Sequence, residues 1–357
     1  MRIVLLTTNL ARGGAEAQVA QLAAGLLRRG HEAAIVSLLE PSAFTDTAPV
    51  ESLGMSEGVA DPRGMTRLVA ILRRRRPQVL HSHLFHANLM ARFVRLVCPV
   101  RAVVSTLHSI SESGRASTNV SRRDRLYRLT DPLADAAVAV SKAVADRHAA
   151  ARAVSPAKLR VIHNGVDTGL YHPDEAVRER VRAELGIRSE FVWLAVGRLM
   201  WKKDYTTLLS AFSSVPGTLL VAGEGPQEAE LRAAAGLNVR FLGARGDVPA
   251  LMQAADAFVL SSVVEGLPVV LLEAAASALP CVATDVGGVR EVVPGPFVVP
   301  PGDSAALCEA MRRIMLMRDE ERRAIGEALR ALAQRQFDIE TCVSEWEALY
   351  RELLAWT

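Results

Sequence analysis

Short apolar runs rich in Val, Leu, Ile and Ala alternate with longer segments of helical period along most of the chain, and this alternation restricts the fold more than any other feature. Strands buried on both faces read as continuous apolar runs, and strands separated by helices pair in parallel. The fold class is therefore α/β. The first set of runs covers residues 2–7, 32–39, 78–83, 101–107, 135–140 and 159–162. The pattern pauses at Asn164-Gly165-Val166-Asp167 and Tyr171-His172-Pro173-Asp174, a polar stretch carrying Gly and Pro. It restarts at 191–196, 218–222, 239–242, 257–260 and 281–283, and from Asp303 onward only helical period remains.

The length of 357 residues fits two domains at roughly 100–200 residues each. The expected division is 1–167, 168–337 and a closing helix, 338–357, packed back on the first domain. Two doubly wound, Rossmann-like domains are expected to face each other across a cleft, with ligands at the carboxyl ends of the strands.

Apolar residues make up 50% of the chain against 23% charged, which excludes a disordered chain. The most apolar stretch, 267–284, contains Glu273 and two prolines and is too short and too polar to span a bilayer. The apolar run at the N-terminus is shorter than a signal-peptide core. Cys98, Cys281, Cys308 and Cys342 form no short-spaced pair, so buried free thiols are expected, in a cytoplasmic protein with peripheral contact at the inner membrane face.

Charge is divided unevenly. Residues 1–168 hold 23 Lys and Arg against 13 Asp and Glu, net +10, leaving 19 against 26, net −7. A basic first half points to an anionic partner, or to arginines such as Arg73 to Arg76 on a solvated helix end. Aromatics are only 5% of the residues, too few to interleave with basic stretches as nucleic-acid binding requires.

Three strand ends carry residues suited to chemistry. After the first strand, Gly13-Gly14-Ala15-Glu16 opens a helix, so Gly13 and Gly14 form either a phosphate-binding turn or a tight turn with Glu16 in the first helical turn. The spacing is not that of a dinucleotide fingerprint. In Val196-Gly197-Arg198-Leu199-Met200-Trp201-Lys202-Lys203, Arg198 and Lys203 follow a strand and precede a helix, positions from which a planar fork and a point charge could hold a diphosphate. In Ser261-Ser262-Val263-Val264-Glu265-Gly266-Leu267-Pro268, Glu265, Gly266 and Leu267 lead into a helix with Pro268 in its first turn and Glu273 inside it. Glu273 stands among apolar residues, and a buried carboxylate needs a reason. His108 follows another strand. His81, His83 and His86 lack a carboxylate or cysteine to complete a metal site, so no metal is expected.

These motifs, with Gly223-Glu224-Gly225 and Val286-Gly287-Gly288-Val289-Arg290-Glu291, resemble the group 1 family of retaining, sugar-nucleotide-dependent glycosyltransferases of GT-B architecture over essentially the whole chain. The resemblance implies a first domain that binds acceptor and a second that binds donor. It implies that Arg198 and Lys203 hold the donor diphosphate, Glu265 the donor sugar, Glu273 the ribose, and Gly14 the phosphate from the opposite side. It places His108 near the reacting sugar. The implied enzyme is a metal-independent hexosyltransferase without cofactor, using a UDP- or GDP-linked sugar in polysaccharide, lipopolysaccharide or glycolipid synthesis. The acceptor is expected to be anionic, lipid-linked or a small molecule, met by the arginines of residues 109–128. An epimerase or hydrolase of nucleotide sugars and a non-catalytic sugar-nucleotide-binding protein are the alternatives.

Overall fold

The computed structural model describes residues 1–56, 61–110 and 121–355. It divides into two compact units, Met1–Gly165 with Ile339–Thr357, and Val166–Asp338.

The first unit is a seven-stranded parallel sheet made of β1 (Arg2–Thr7), β2 (Glu32–Ser37), β3 (Val50–Ser52), β4 (Val79–His83), β5 (Ala102–Leu107), β6 (Ala136–Ala139) and β7 (Leu159–Val161). Its spatial order is β3-β2-β1-β4-β5-β6-β7. The helices are α1 (Gly14–Arg28), α2 (Pro62–Arg75), α3 (Phe85–Val94), α4 (Arg122–Thr130) and α5 (Lys142–Ala150). Ile3 and Leu5 join one apolar core with α1, while Val4 and Leu6 join another with α2 and α3. Successive residues of a strand point to opposite faces, so burial on both sides accounts for the unbroken apolar run.

The second unit contains β8 (Val192–Val196), β9 (Thr218–Ala222), β10 (Val239–Gly243), β11 (Ala257–Leu260), β12 (Cys281–Thr284) and β13 (Val298–Val299), all parallel, in the order β10-β9-β8-β11-β12-β13. Its helices are α6 (Glu175–Glu184), α7 (Tyr205–Phe212), α8 (Glu228–Ala234), α9 (Val248–Ala254), α10 (Val269–Ala276), α11 (Ser304–Leu316) and α12 (Asp319–Leu332).

The last helix, α13 (Ile339–Ala355), belongs to the first unit. Ile339, Val343, Trp346 and Tyr350 recur at helical spacing and complete the core under α1. Glu340 and Glu347 of α13 pair with Arg28, Arg29 and His31 at the end of α1. Just before the chain leaves this unit, Gln18 clamps Gly165: its amide nitrogen donates to the Gly165 carbonyl and its oxygen accepts from the Gly165 N–H, both at 2.7 Å.

Several expectations need correction. The strands β3 and β13 escaped the sequence reading because β3 is polar at two of its three positions and β13 has only two residues. Pairing in β2 ends at Ser37 rather than residue 39, although the N–H groups of Leu38 and Leu39 still donate to Thr7 and Thr8. Residues 109–128 are not one loop. Ser121 and Asp124 form a capping box that starts α4, Arg123 lies over the Phe85 ring, and Arg128 donates to the Ala151 and Arg152 carbonyls at the end of α5. Arg122 and Arg125 are exposed on α4, while Arg115 and Trp356 lie outside the described residues. In the basic run, Arg74 and Arg75 pair with Glu51. Cys98, Cys281 and Cys342 are buried free thiols, but Cys308 is only half-buried. Among the described residues no helix is long and apolar enough to cross a membrane.

The contact between α1 and α13 yields a direct test. A Cβ added to Gly25 would come within 2.6 Å of the Val343 methyl Cγ2. Gly25→Ala should therefore destabilise the first unit by about 1–3 kcal/mol, read as a lower thermal midpoint, and Val343→Ala in the same chain should recover part of that loss. Equal midpoints for Gly25→Ala and wild type would contradict this packing.

Candidate functional site

In the second unit the chain order of strands reverses once. It runs β8, β9, β10 toward one edge, then continues from β11 on the other side of β8. The connections leaving β8 and β11 diverge from this point, which makes their carboxyl ends the natural ligand crevice of such a sheet. The two loops are tied together here. Val263 N–H donates to the Lys202 carbonyl at 2.8 Å, and the Ser261 hydroxyl donates to the Lys203 carbonyl at 2.7 Å. Lys203 Nζ meets Glu265 Oε1 at 2.6 Å, and the Ser262 hydroxyl donates to the same oxygen at 2.7 Å. The side chains of Lys203 and Glu265 are only 21% and 15% exposed, so the pair is largely out of water.

Lys203 and Glu265 are thus partners of each other, which their reading as separate diphosphate and sugar ligands did not foresee. An ammonium has three donors and a carboxylate two oxygens, so the pair keeps capacity for a ligand on both members. Arg198 lies on the same β8 loop, exposed, and its guanidinium has no partner among the described residues.

Glu273 sits in the second turn of α10. Burial is the main cause that pushes its carboxyl up to about 7, while a hydrogen bond from Tyr171 and the nearby Lys203 charge act in the opposite direction. Tyr171 was read only as part of the polar stretch between domains. Its hydroxyl donates to Glu273, and burial together with that carboxylate raises its own pKa. Pro268 stands at the N-cap of α10, one residue earlier than expected, and supplies no side-chain cap.

The glycines of this unit bring loops together. A Cβ on Gly223 or Gly225 would come within 2.0 or 2.4 Å of the Gly197 or Leu199 carbonyl, so this turn packs directly beneath Arg198. Gly287, at φ 54°, lies against the carbonyls of Glu265 and Gly266, and the Gly288 N–H donates to the Gly266 carbonyl at 2.6 Å. A side chain at 287 would push away the loop carrying Glu265, and positive φ favours glycine there as well. Gly266 and Leu267 are buried within that loop.

In the first unit, His108 follows β5, and its Nε2 lies 3.1 Å from Nδ1 of His83. Burial lowers the pKa of His108 to about 4 and holds that of His83 well below its ordinary value, so both rings are neutral near pH 7. His81 is held by the Tyr350 and Thr106 hydroxyls, each at 2.6 Å. Among the described residues no group of three or more His, Cys, Asp or Glu is arranged to hold a metal ion. Gly13 caps α1, and the Glu16 carboxylate folds back to within 2.4 Å of where a Gly13 Cβ would stand, so an arriving phosphate would meet that carboxylate.

Comparison with known proteins identifies the family. Residues 12–170 match a family model described as glycosyltransferase family 4, and residues 190–316 match one described as glycosyl transferases group 1. The chain is 31% identical over 344 residues to a glycogen synthase of Mycobacterium tuberculosis, covering 88% of this chain and 79% of that protein. It is 27% identical over 311 residues to the N-acetyl-alpha-D-glucosaminyl L-malate synthase of Bacillus anthracis, covering 81% and 78% respectively. Its fold matches the crystal structure of Anabaena HepE in complex with UDP, with a TM-score of 0.86 at 23% identity over 99% of this chain and all of that one.

The raised Glu273 pKa fixes a pH dependence of stability. Folding lifts this carboxyl above its ordinary value of 4.5. Its contribution is therefore complete below that value and is lost as pH rises through about 7. Glu273→Gln should gain on wild type between pH 5 and pH 8 by more than about 2 °C in thermal midpoint. Two melting curves whose separation did not change with pH would contradict the burial of this charge.

Proposed function

Since the chain belongs to the group 1 glycosyltransferase family, we propose that it moves a sugar, with retention of configuration, from a UDP- or GDP-linked donor to a hydroxyl-bearing acceptor in polysaccharide, lipopolysaccharide or glycolipid synthesis. The observation that carries this reading is the part-buried Lys203–Glu265 pair at the point where the second sheet reverses its strand order. Anabaena HepE has been seen with UDP and with UDP-glucose, which supports a nucleotide-sugar donor here.

In this reading Lys203 and the unpaired Arg198 hold the donor diphosphate. Glu265, with one oxygen already engaged by Lys203 and Ser262, directs the other to sugar hydroxyls. Glu273 accepts from the ribose hydroxyls, most strongly as a carboxylate. The start of α10 adds backbone dipoles beside the phosphates.

As the bond from the anomeric carbon to the phosphate oxygen breaks, negative charge gathers on the leaving diphosphate. One opposite charge at 4 Å is worth about 1 kcal/mol in water and about 4 kcal/mol at an effective dielectric of 20. Lys203 is largely screened from water, so its contact belongs nearer the upper figure. The acceptor oxygen bonds to the anomeric carbon on the face the phosphate leaves, and its proton passes to the departing phosphate oxygen. The products are a glycoside and a nucleoside diphosphate. Neutral His108, oriented by His83, positions a hydroxyl in the first unit. The exposed Arg122 and Arg125 provide peripheral contact with an anionic membrane surface.

Turnover of a panel of UDP- and GDP-sugars, with anomeric configuration read by NMR, tests the reading. Lys203→Ala should lower turnover at least roughly a hundredfold while the fold survives, and near-normal rates would remove Lys203 from the mechanism. EDTA should leave the rate unchanged; loss reversed by manganese would overturn the metal-independent reaction. Affinity for UDP should rise as pH passes through about 7 in wild type beyond any rise in Glu273→Gln. Equal pH profiles would take Glu273 out of nucleotide binding.

A further inference from the structure

The helices α3 and α4 lie side by side. Arg92 of α3 donates to the Tyr127 carbonyl and the Thr130 hydroxyl of α4, each at 3.0 Å, and the Arg123 guanidinium covers the Phe85 ring. Ala87, Ala91 and Val94 of α3 join the core of the first unit, and Tyr127 of α4 is fully buried.

Their outer face is unusually apolar. Phe93 is 43% exposed, Leu96 67%, Val97 58%, Leu126 38% and Leu129 76%. Large apolar side chains exposed singly need no explanation, but here five of the ten exposed in the described residues fall on two adjoining helices. Leu96 and Val97 stand on the turn that continues α3, where their N–H groups donate to the Phe93 and Val94 carbonyls. Residues three or four apart share one side of a helix, so Phe93, Leu96 and Val97 form one stripe, and Arg122, Arg125, Leu126 and Leu129 form another on α4.

The charge on this face has one sign. Arg122, Arg125 and Arg128 are exposed. Arg128 uses its donors on the carbonyls at the end of α5, which leaves Arg122 and Arg125 without a partner among the described residues. No acid offsets them: α3 carries none, and the one acid of α4, Asp124, is buried and held by two nitrogens of Arg147.

This combination separates the candidate occupants. A two-fold contact with a second copy would cover the leucines, but it would also bring the arginines of both copies together with no carboxylate between them. An anionic bilayer suits both features, since its phosphates meet guanidinium groups while its acyl boundary receives apolar side chains.

We propose that the outer face of α3 and α4 is a docking surface for an anionic lipid bilayer, in which Phe93, Leu96, Val97, Leu126 and Leu129 enter the boundary between headgroups and acyl chains and Arg122 and Arg125 meet lipid phosphates. This surface deepens the peripheral contact assigned above to the two arginines and rests on it, while owing nothing to the donor chemistry of the second unit. Attachment depends on apolar insertion as well as charge, so part of it survives salt that screens the arginines.

Co-sedimentation of the full chain with phosphatidylcholine vesicles, with and without phosphatidylglycerol, provides the test. Wild type should bind the phosphatidylglycerol vesicles at least about tenfold more tightly than phosphatidylcholine alone. Leu96→Ser combined with Leu129→Ser should weaken that binding at least about tenfold. Arg122→Gln combined with Arg125→Gln should weaken it by a similar factor, about tenfold, that shrinks in high salt. All four positions are exposed, so circular dichroism and UDP affinity should stay those of wild type. Equal vesicle binding by wild type and the leucine variant overturns insertion, even where the arginine variant is impaired, and leaves only an electrostatic contact. Failure of wild type to bind either vesicle overturns the surface and the peripheral contact together. A lipid-free dimer of wild type, seen by light scattering and lost in the leucine variant, gives the face to a second copy and overturns the assignment. Vesicle binding without sugar transfer refutes the donor reading and leaves the surface standing; transfer without vesicle binding does the reverse.

Discussion

The ion pair between Lys203 and Glu265 is the interaction that joins the loops after β8 and β11, and the proposed donor site depends on it. Two charges mostly withdrawn from water are costly, and removing either partner of such a pair typically costs about 3–5 kcal/mol because the other charge is stranded. The surroundings lower that cost. Ser262 donates to the shared carboxylate oxygen, Ser261 fixes the Lys203 backbone, and Gly287 supports the turn from which Glu265 projects. All of this is possible because β8 and β11 are neighbours whose outgoing connections run in opposite directions. A ligand with phosphate on one side and hydroxyl groups on the other can exchange this internal pairing for its own without leaving either charge alone.

Glu273 extends the same reasoning one helical turn away. Its carboxyl is held near 7 by burial, with only the Tyr171 hydroxyl and the field of Lys203 in its favour. A carboxylate so poorly compensated gains from any donor that reaches it, which suits the ribose-binding role proposed for it. In the first unit His81, His83 and His108 are neutral by burial. The two units thus differ, with an ion pair at the reversal point of the second sheet and neutral histidines at the ends of β4 and β5 of the first.

The fold was legible because the central strands are buried on both faces. Residues such as Ile3 and Val4 serve two different cores, which leaves an unbroken apolar run in the sequence. The edge strands β3 and β13 left no such trace. Lys203, Glu265 and Glu273 were visible as charges after strands or inside an apolar helix, but their pairing was not, since it depends on which loops the strand order brings together. Tyr171 was hidden for the same reason: its partner lies far along the chain, and its own neighbourhood reads as a linker. Gly223 and Gly225 were visible as a motif, yet their reason is the packing of one loop on another.

Hydrogen–deuterium exchange of the full chain with and without UDP tests the central claim most directly. The account predicts slowed exchange in the loop after β8, in residues 261–268 and in the first turns of α10. Unchanged exchange in all three segments at saturating UDP would contradict it.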